Sequence, residues 1–416
     1  MKIIIIGAST PGLFAASLLS KAGADVEVYE RSGALDFAPR TLIVTEKISE
    51  VLGFVPKEVI LNEVRYVELF SKSRATTVKL ARPDLIIERQ KLLILLARMA
   101  EEAGAKIFLG RRFLSFTASS NGGGNGGGNG RGNGRGNGGK GVNVVFRDSS
   151  SCMNRHAQAD VLIGADGAFS GVARSASHNG HFQTALLQAR VRINNEIDRN
   201  TYRVWFDPAR TKYFYWLIPE SDEMAAVGLI ADDARQAGSA LKSFLREQGM
   251  EPIDYQASMV PMHKFQYFAR VNEISSNVFL IGDAAAQVKV TTVGGVVTGL
   301  RGARAVVEAI LNGRKTGKEI SKLKRELDLH LLVRRMLDSF DDLDYDRLID
   351  FLNRDLTEVV SNQTRDDLSR MYLDLVSSQP KLLVLGAKAF LRGVAFKKRH
   401  NGAGEEGRVL AVSQRD

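Results

Sequence analysis

The chain has 416 residues, 44% hydrophobic and 25% charged, with a formal net charge of +10. That length suits two or three packed units, and the composition is globular, which excludes wholesale disorder and a polytopic membrane protein. The single cysteine, Cys152, excludes an internal disulfide, a CxxC redox pair and a cysteine zinc site, and points to a reducing compartment. The positive charge suits nucleic acid, anionic lipid head groups or a phosphate-bearing cofactor, and does not choose among them.

The elements expected in chain order begin with a strand at 2–6, a glycine turn, a helix at 11–21 and a second strand at 25–30, one βαβ unit with a buried parallel sheet. The opening apolar run ends at once in that turn rather than continuing as a secretory signal, and no stretch approaches the roughly 18 apolar residues of a spanning helix. A cytoplasmic location is expected. Leucines and alanines at helical spacing over 88–103 stop at Gly104, and a strand follows at 106–109.

Residues 119–141 are almost wholly Gly and Asn with two Arg and a Lys, too little apolar surface to form a core. They are flanked by the alternating segments 113–117 and 142–146, so they are expected to cap a surface hairpin. Their Arg-Gly-Asn repeats lack interleaved aromatics, and no nucleic-acid partner is expected. From 183 to about 262 the pattern turns to short strands rich in aromatic and β-branched residues, a mainly antiparallel unit. A strand at 277–281 returns to the buried style, a helix follows at 299–312, and beyond 320 the chain reads as helical and charged.

Three motifs carry chemistry. Gly7-Ala8-Ser9-Thr10-Pro11-Gly12 is a G-x-G-x-x-G turn with Ser9 in the second glycine slot, placed between strand and helix where free N–H groups can bind a pyrophosphate. Glu30 ends the second strand, the position that accepts from a ribose hydroxyl and disfavours a 2′-phosphate; Arg31 beside it joins the cofactor set. Strand 159–164 runs into Asp166-Gly167, and strand 277–281 into Gly282-Asp283 followed by alanines. A carboxylate just past such a strand can accept from ribityl hydroxyls, which FAD has and NAD lacks.

In this order the three motifs resemble the flavoprotein group that includes p-hydroxybenzoate hydroxylase, over roughly residues 1–310. The resemblance implies an α/β fold with a Rossmann-type FAD-binding domain on a parallel sheet (residues 1–182 and 270–320). It also implies an antiparallel substrate domain (183–269) and a C-terminal helical region (321–416). It makes Arg89, in Glu88-Arg89-Gln90, an FAD-contacting arginine and Asp283 the ribityl acid. Arg40 stands where related hydroxylases carry an arginine near the flavin.

The loop from Ala286 to Val296, including Gly294 and Gly295, is similar to the flavin loop of geranylgeranyl reductases, archaeal lipid reductases especially. Phe214-Tyr215-Trp216-Leu217-Ile218-Pro219 resembles their YxWxFP strand, which implies substrate contacts for Phe214, Tyr215 and Trp216. Val290 replaces the usual proline and Val293 a glycine, and no P-x-x-C-G motif follows Ala38. The implied activity is reduction of C=C bonds in a polyprenyl lipid or quinone, with FAD as cofactor and an external electron donor, NADPH or ferredoxin.

Two other readings share these motifs: an FAD-dependent monooxygenase, and a non-catalytic FAD-binding protein at a membrane. No metal site is expected, and no catalytic residue stands out; His263 is a loose proton-donor candidate for which a surface position is the plainer expectation. Residues 381–399 set apolar side chains against Lys381, Lys388, Arg392, Lys397, Lys398 and Arg399, as a basic amphipathic helix on an anionic membrane surface would.

Overall fold

The computed structural model describes residues 1–35, 39–118, 141–176, 183–193, 197–264, 277–312, 317–352, 381, 384–388 and 391–392. The chain divides into two compact units, one of residues 1–60, 87–184 and 259–328, the other of residues 61–86, 185–258 and 329–416.

The first unit is built on a five-stranded sheet in the order Val278–Leu280, Val161–Gly164, Lys2–Ile6, Asp25–Tyr29, Lys106–Phe108, with every pairing parallel. Ile3, Ile4 and Ile5 are fully buried, as the central strand of a parallel sheet covered on both faces requires. Helix Thr10–Lys21 packs between helices Arg89–Glu102 and Val296–Leu311 on one side. On the other side lies a three-stranded antiparallel sheet of Arg111–Ala118, Val142–Asp148 and Asn154–Ala159. The two sheets meet through aromatic rings: Tyr29 stacks on Phe146 at 4.1 Å and on Phe108 at 5.0 Å, and Ile4, Ile6, Val144 and Leu162 close the core around them.

The expected hairpin is present, with Phe113 opposite Phe146 and Ala118 opposite Val142. Residues 119–140, which join these strands, lie outside the described residues.

In the second unit the strand order is Pro252–Pro261, Gln183–Arg192, Met224–Ala231, Tyr215–Pro219, Thr201–Trp205, Ile60–Phe70, Ala75–Glu88. The centre is antiparallel as expected, with Trp216 opposite Gly228 and Gln188 opposite Gly228. Strand Thr201–Trp205 pairs in parallel with Ile60–Phe70, Tyr202 opposite Val67. Residues 61–86 therefore belong with this sheet and not with the cofactor domain in which the sequence reading put them. Pairing across some 135 residues leaves no trace in local periodicity.

Residues 259–264 likewise fall in the first unit, and those from 329 onward in the second rather than in a separate helical region. Helix Asp342–Phe351 is clamped to the turn between strands Ile60–Phe70 and Ala75–Glu88. Lys72, Ser71 and Arg74 contact Asp342, Asp346 and Asp350 at 2.9, 2.5 and 3.0 Å, acids one helical turn apart on one face.

The strands flanking residues 119–141 are already paired up to Ala118 and Val142, so a short turn can replace that tract. Each halving of a connecting loop recovers about 0.6 kcal/mol of closure entropy. Excising 121–139 is expected to leave the melting temperature unchanged or slightly raised in a thermal scan.

Candidate functional site

The site in the first unit is assembled from turns that leave neighbouring parallel strands at the same edge. Gly7 leaves the central strand with φ +100°, and a Cβ there would lie 2.5 Å from the Ala165 carbonyl oxygen. A Cβ at Gly12 would lie 2.4 Å from the Gly7 oxygen. Both glycines are therefore required by close backbone approach. Ser9 caps helix Thr10–Lys21, its hydroxyl accepting from the Gly12 N–H at 3.4 Å, with Pro11 in the first turn. The residue in the second glycine slot thus serves as an N-cap and leaves the rest of the helix start to an anion.

Glu30 is 7% exposed. Its carboxylate accepts from the N–H of Ala8 (2.9 Å) and of Ser32 (2.9 Å), which pins it against the glycine turn. A carboxylate has about four lone-pair sites, so two backbone donors leave capacity for ribose hydroxyls. Arg31 is exposed beyond it.

The third turn, Gly282–Ala285, carries Asp283. Gly282 has φ +61° and a Cβ there would lie 2.5 Å from Pro11 Cγ, so this turn sits directly on the start of the first helix. Asp283 attracts two guanidinium groups, those of Arg40 and Arg89. Burial, and then the neighbouring Arg89, push the Arg40 pKa down to about 10, with Asp283 opposing them; burial likewise lowers Arg89 against the pull of Asp283.

Glu88 organises the pair. It caps helix Arg89–Glu102 by accepting from Gln90 (2.8 Å) and Lys91 (2.9 Å), and it also accepts from the Arg40 N–H at 3.3 Å. Arg40 Nε is buried and lacks a hydrogen-bond partner among the described residues. A buried N–H without an acceptor costs on the order of 1–3 kcal/mol. An orphaned cationic donor beside a second guanidinium and one acid fits an anionic, oxygen-rich ligand, as a dinucleotide pyrophosphate is.

Asp166 was expected to reach the cofactor, yet its carboxylate turns onto its own chain. It accepts from the Ser170 hydroxyl (2.6 Å) and from the N–H groups of Gly171 (2.6 Å) and Val172 (3.2 Å), tying down the short helix Gly171–Ser175. Burial raises its pKa against those bonds. Gly167, at φ +81°, supplies the left-handed backbone of the turn.

After Asp283 the chain runs through Ala286 at φ +49° and Val293 at φ +53°. A β-branched residue in the left-handed region is strained, and Val293 occupies a slot where the resembling loops carry glycine. Buried packing at Val288, Val290 and Val293 offsets that strain. Gln287 holds the loop to its base, its side-chain oxygen accepting from the Gly282 N–H at 2.7 Å.

His263 departs from the surface position expected for it. It is 1% exposed, its Nε2 is 2.8 Å from Asp328 Oδ1, Lys324 pairs with the same carboxylate, and its ring faces the Ala286 backbone. It thus buttresses the loop from below. No pattern in the sequence marks it, because its partner lies 65 residues away on helix Gly317–Leu337.

In the second unit, the three resemblance-derived substrate residues divide between the two faces of the sheet. Tyr215 is fully buried and stacks on Phe244 of helix Ala234–Glu247 at 4.3 Å; it is a core residue, as strand alternation dictates once its neighbour points the other way. Trp216 and Phe214 lie on the opposite face, 6.2 Å apart, and Phe214 continues to Phe206, which stacks on Tyr345 at 4.5 Å. Gly228 makes room for the indole: a Cβ there would lie 2.5 Å from Trp216 Cζ2.

No family model matches the chain. It is 27% identical over 295 residues, 66% of this chain and 70% of the relative, to digeranylgeranylglycerophospholipid reductase 2 of Methanothermobacter thermautotrophicus. With the chloroplastic geranylgeranyl diphosphate reductase of Oryza sativa subsp. japonica it shares 25% over 369 residues, 82% of this chain and 72% of the relative. A geranylgeranyl bacteriochlorophyll reductase-like structure from Thermoplasma acidophilum superposes with a TM-score of 0.70, at 19% identity, over 93% of this chain and 98% of that one. A flavin-dependent monooxygenase, PieE, in complex with FAD and substrate superposes at 0.57, with 15% identity, over 95% of this chain and 72% of that one.

Two outcomes test this geometry. Gly282→Ala places a methyl against Pro11 in a left-handed turn and is expected to cost about 2 kcal/mol or more in chemical denaturation. Burial holds the folded His263 pKa below its ordinary value of 6.5, so on acidification the unfolded chain takes the proton first. The stability from neutral His263 is therefore complete above about pH 6.5 and is lost as pH falls below it. A His263→Gln variant should show a flatter decline of melting temperature across that range; an unchanged decline would remove His263 as its source. The sequence similarity and the shared fold agree: this chain is similar to the geranylgeranyl reductases and has the fold of the FAD-dependent flavoproteins.

Proposed function

We propose that this protein is an FAD-dependent oxidoreductase that reduces C=C bonds of a prenyl chain carried by a membrane lipid or quinone. The observation that carries the cofactor assignment is the buried Arg40 Nε beside Arg89 and Asp283, without an acceptor among the described residues. That cluster shares a sheet edge with a glycine turn and the ribose-type acceptor Glu30. The substrate assignment rests on similarity to prenyl-chain reductases that extends through both units.

In this reading the N–H groups after Ser9 and the two guanidinium groups hold the pyrophosphate, Glu30 accepts from the adenosine ribose and Asp283 from the ribityl chain. When bound, FAD supplies the two-electron reduction of the double bond. The aromatic face of Trp216, Phe214 and Phe206 offers a prenyl chain an apolar, polarisable wall and keeps water from it. The donor that recharges the flavin is NADPH or a ferredoxin.

A peripheral position on the cytoplasmic face of an anionic membrane accompanies this reading. Among the described residues no helix is long and apolar enough to cross a bilayer. Among the described residues near the C-terminus, all helical, Lys381, Val384, Lys388 and Leu391 are exposed while Leu385 packs on Phe340 and Tyr345. Arg392 is paired with Asp341 at 2.8 Å and with Asp344. Lys397, Lys398 and Arg399 lie outside the described residues.

The test is a flavin absorption spectrum of the purified protein together with mass spectrometry of prenyl lipids and quinones from cells with and without the chain. A flavin spectrum and prenyl chains heavier by one dihydrogen per reduced bond are expected. A flavin spectrum with unchanged lipids and substrate-dependent oxygen uptake would replace this reading with a monooxygenase.

A further inference from the structure

Gln287, the second residue after the turn Gly282–Ala285, takes up both the N–H and the carbonyl of Gly282. Its side-chain oxygen accepts from the Gly282 N–H at 2.7 Å, and its own N–H donates to the Gly282 carbonyl at 3.0 Å. The preceding residue still pairs within the parallel sheet, the Ile281 N–H donating to the Gly164 carbonyl at 2.9 Å. Backbone pairing thus passes directly from a sheet partner to Gln287. Gln287 is 4% exposed, and its carbonyl accepts from the hydroxyl of Thr298, fully buried in the first turn of helix Val296–Leu311. The loop between them closes with the Lys289 N–H on the Gly294 carbonyl at 3.1 Å.

What seats the glutamine is a notch in that helix. A Cβ at Gly302 would lie 2.0 Å from Gln287 Oε1, 2.4 Å from its Cδ and 2.6 Å from its Nε2, so the amide occupies the place where any other side chain would begin. Gly299, three residues earlier and on the same helix face, lets the helix approach the turn itself: a Cβ there would lie 3.3 Å from Gly282 Cα. Pro11 closes the third side, its Cγ 2.5 Å from a Cβ at Gly282. Gly282 is therefore wedged between the start of helix Thr10–Lys21, a glycine face of helix Val296–Leu311 and the amide of Gln287. The next residue is Asp283, whose Oδ1 would lie 3.2 Å from a Cβ at Gly295 and whose carboxylate attracts Arg40 and Arg89.

We propose that Gln287 is a positioning residue for the cofactor: seated on Gly302, it fixes the backbone of Gly282 and with it the direction in which Asp283 offers its carboxylate to the ribityl chain. This rests on the FAD reading above. The direction of an aspartate carboxylate follows its Cα–Cβ bond, and that bond turns with the peptide plane before it. A ligand-binding group must be held within about 0.5 Å of its productive place by the packing and hydrogen bonds behind it. Asp283 lies in a single short turn, and Gln287 supplies that support. The adenosine half of the cofactor meets Glu30 and the turn Gly7–Gly12, which have hydrogen bonds of their own. The support from Gln287 therefore acts on the flavin half of the molecule.

The experiment strips the purified protein of flavin and titrates it calorimetrically with FAD and, separately, with ADP, in the parent, in Gln287→Ala and in Gly302→Ala. The second variant keeps every hydrogen-bonding group and pushes the amide off the helix with one methyl, and a helix accepts alanine better than glycine. Loss of one hydrogen bond's hold on a ligand changes its affinity on the order of tenfold. Both variants are expected to bind FAD about tenfold more weakly and ADP as the parent does. In an Asp283→Ala background Gln287→Ala is expected to weaken FAD no further, because its effect runs through that carboxylate.

Unchanged FAD affinity in the folded variants overturns the proposal. So does an equal loss for FAD and ADP, the mark of a residue that only supports the fold, and so does a full additional loss in the Asp283→Ala background. Should neither variant fold, hydrogen exchange of the Gly282 N–H in the flavin-free parent decides. Protection before FAD is added supports a turn held in advance by Gln287; fast exchange that slows only when FAD binds overturns it. A parent protein that binds ADP but no flavin refutes the FAD reading and the proposal together, whereas the failures above leave that reading standing.

Discussion

The site depends on how closely three backbone turns can approach one another at the edge of the parallel sheet. The turn at Gly7 presses on Ala165, and the turn at Gly282 presses on Pro11. At Gly7 and Gly282 the chain is left-handed and there is no room for a methyl, so only glycine satisfies both demands. The donors and acceptors the site offers a ligand follow from that contact. The start of helix Thr10–Lys21, the carboxylate of Glu30 and the carboxylate of Asp283 arrive at one edge because the strands before them are in register, Ile6 with Tyr29 and with Gly164.

Around this fixed centre the charges are arranged economically. Glu88 caps a helix and holds Arg40 with the same carboxylate, Glu30 holds the glycine turn while keeping lone pairs for a ribose, and Asp283 faces two guanidinium groups. The arrangement leaves one buried donor, Arg40 Nε, without an acceptor among the described residues. Buried donors are ordinarily paired, and a pyrophosphate oxygen would supply the acceptor that this one lacks. Asp166 is a carboxylate in a motif position that accepts three hydrogen bonds from its own loop.

The second unit obeys a different constraint, the strict alternation of strands. Tyr215 and Trp216 are adjacent in a motif that suggests a shared role, yet one forms core against Phe244 and the other joins an aromatic face with Phe214 and Phe206. The ion-paired turn at 71–74 and helix Asp342–Phe351 secure the far end of that face by way of Tyr345.

Much of this was legible from residues alone. The βαβ start, Glu30, the Gly-Asp turn and the hairpin around 119–141 rest on local chemistry: periodicity, turn residues and the needs of a helix start are written within a few positions of one another. Val293 stood out only against the glycine of the resembling loops, and its left-handed backbone angle came from the structure. What depends on tertiary structure is everything that pairs residues distant in the chain. The parallel pairing of Thr201–Trp205 with Ile60–Phe70 moved a segment from one unit to the other. Burial of His263 came from Asp328, and the seating of Gln287 on Gly302 came from the packing of helix Val296–Leu311 against the turn before it, which no local pattern announces. A sequence specifies which groups are available, but the distance between two side chains far apart in it is set only when the sheets and helices that carry them have packed.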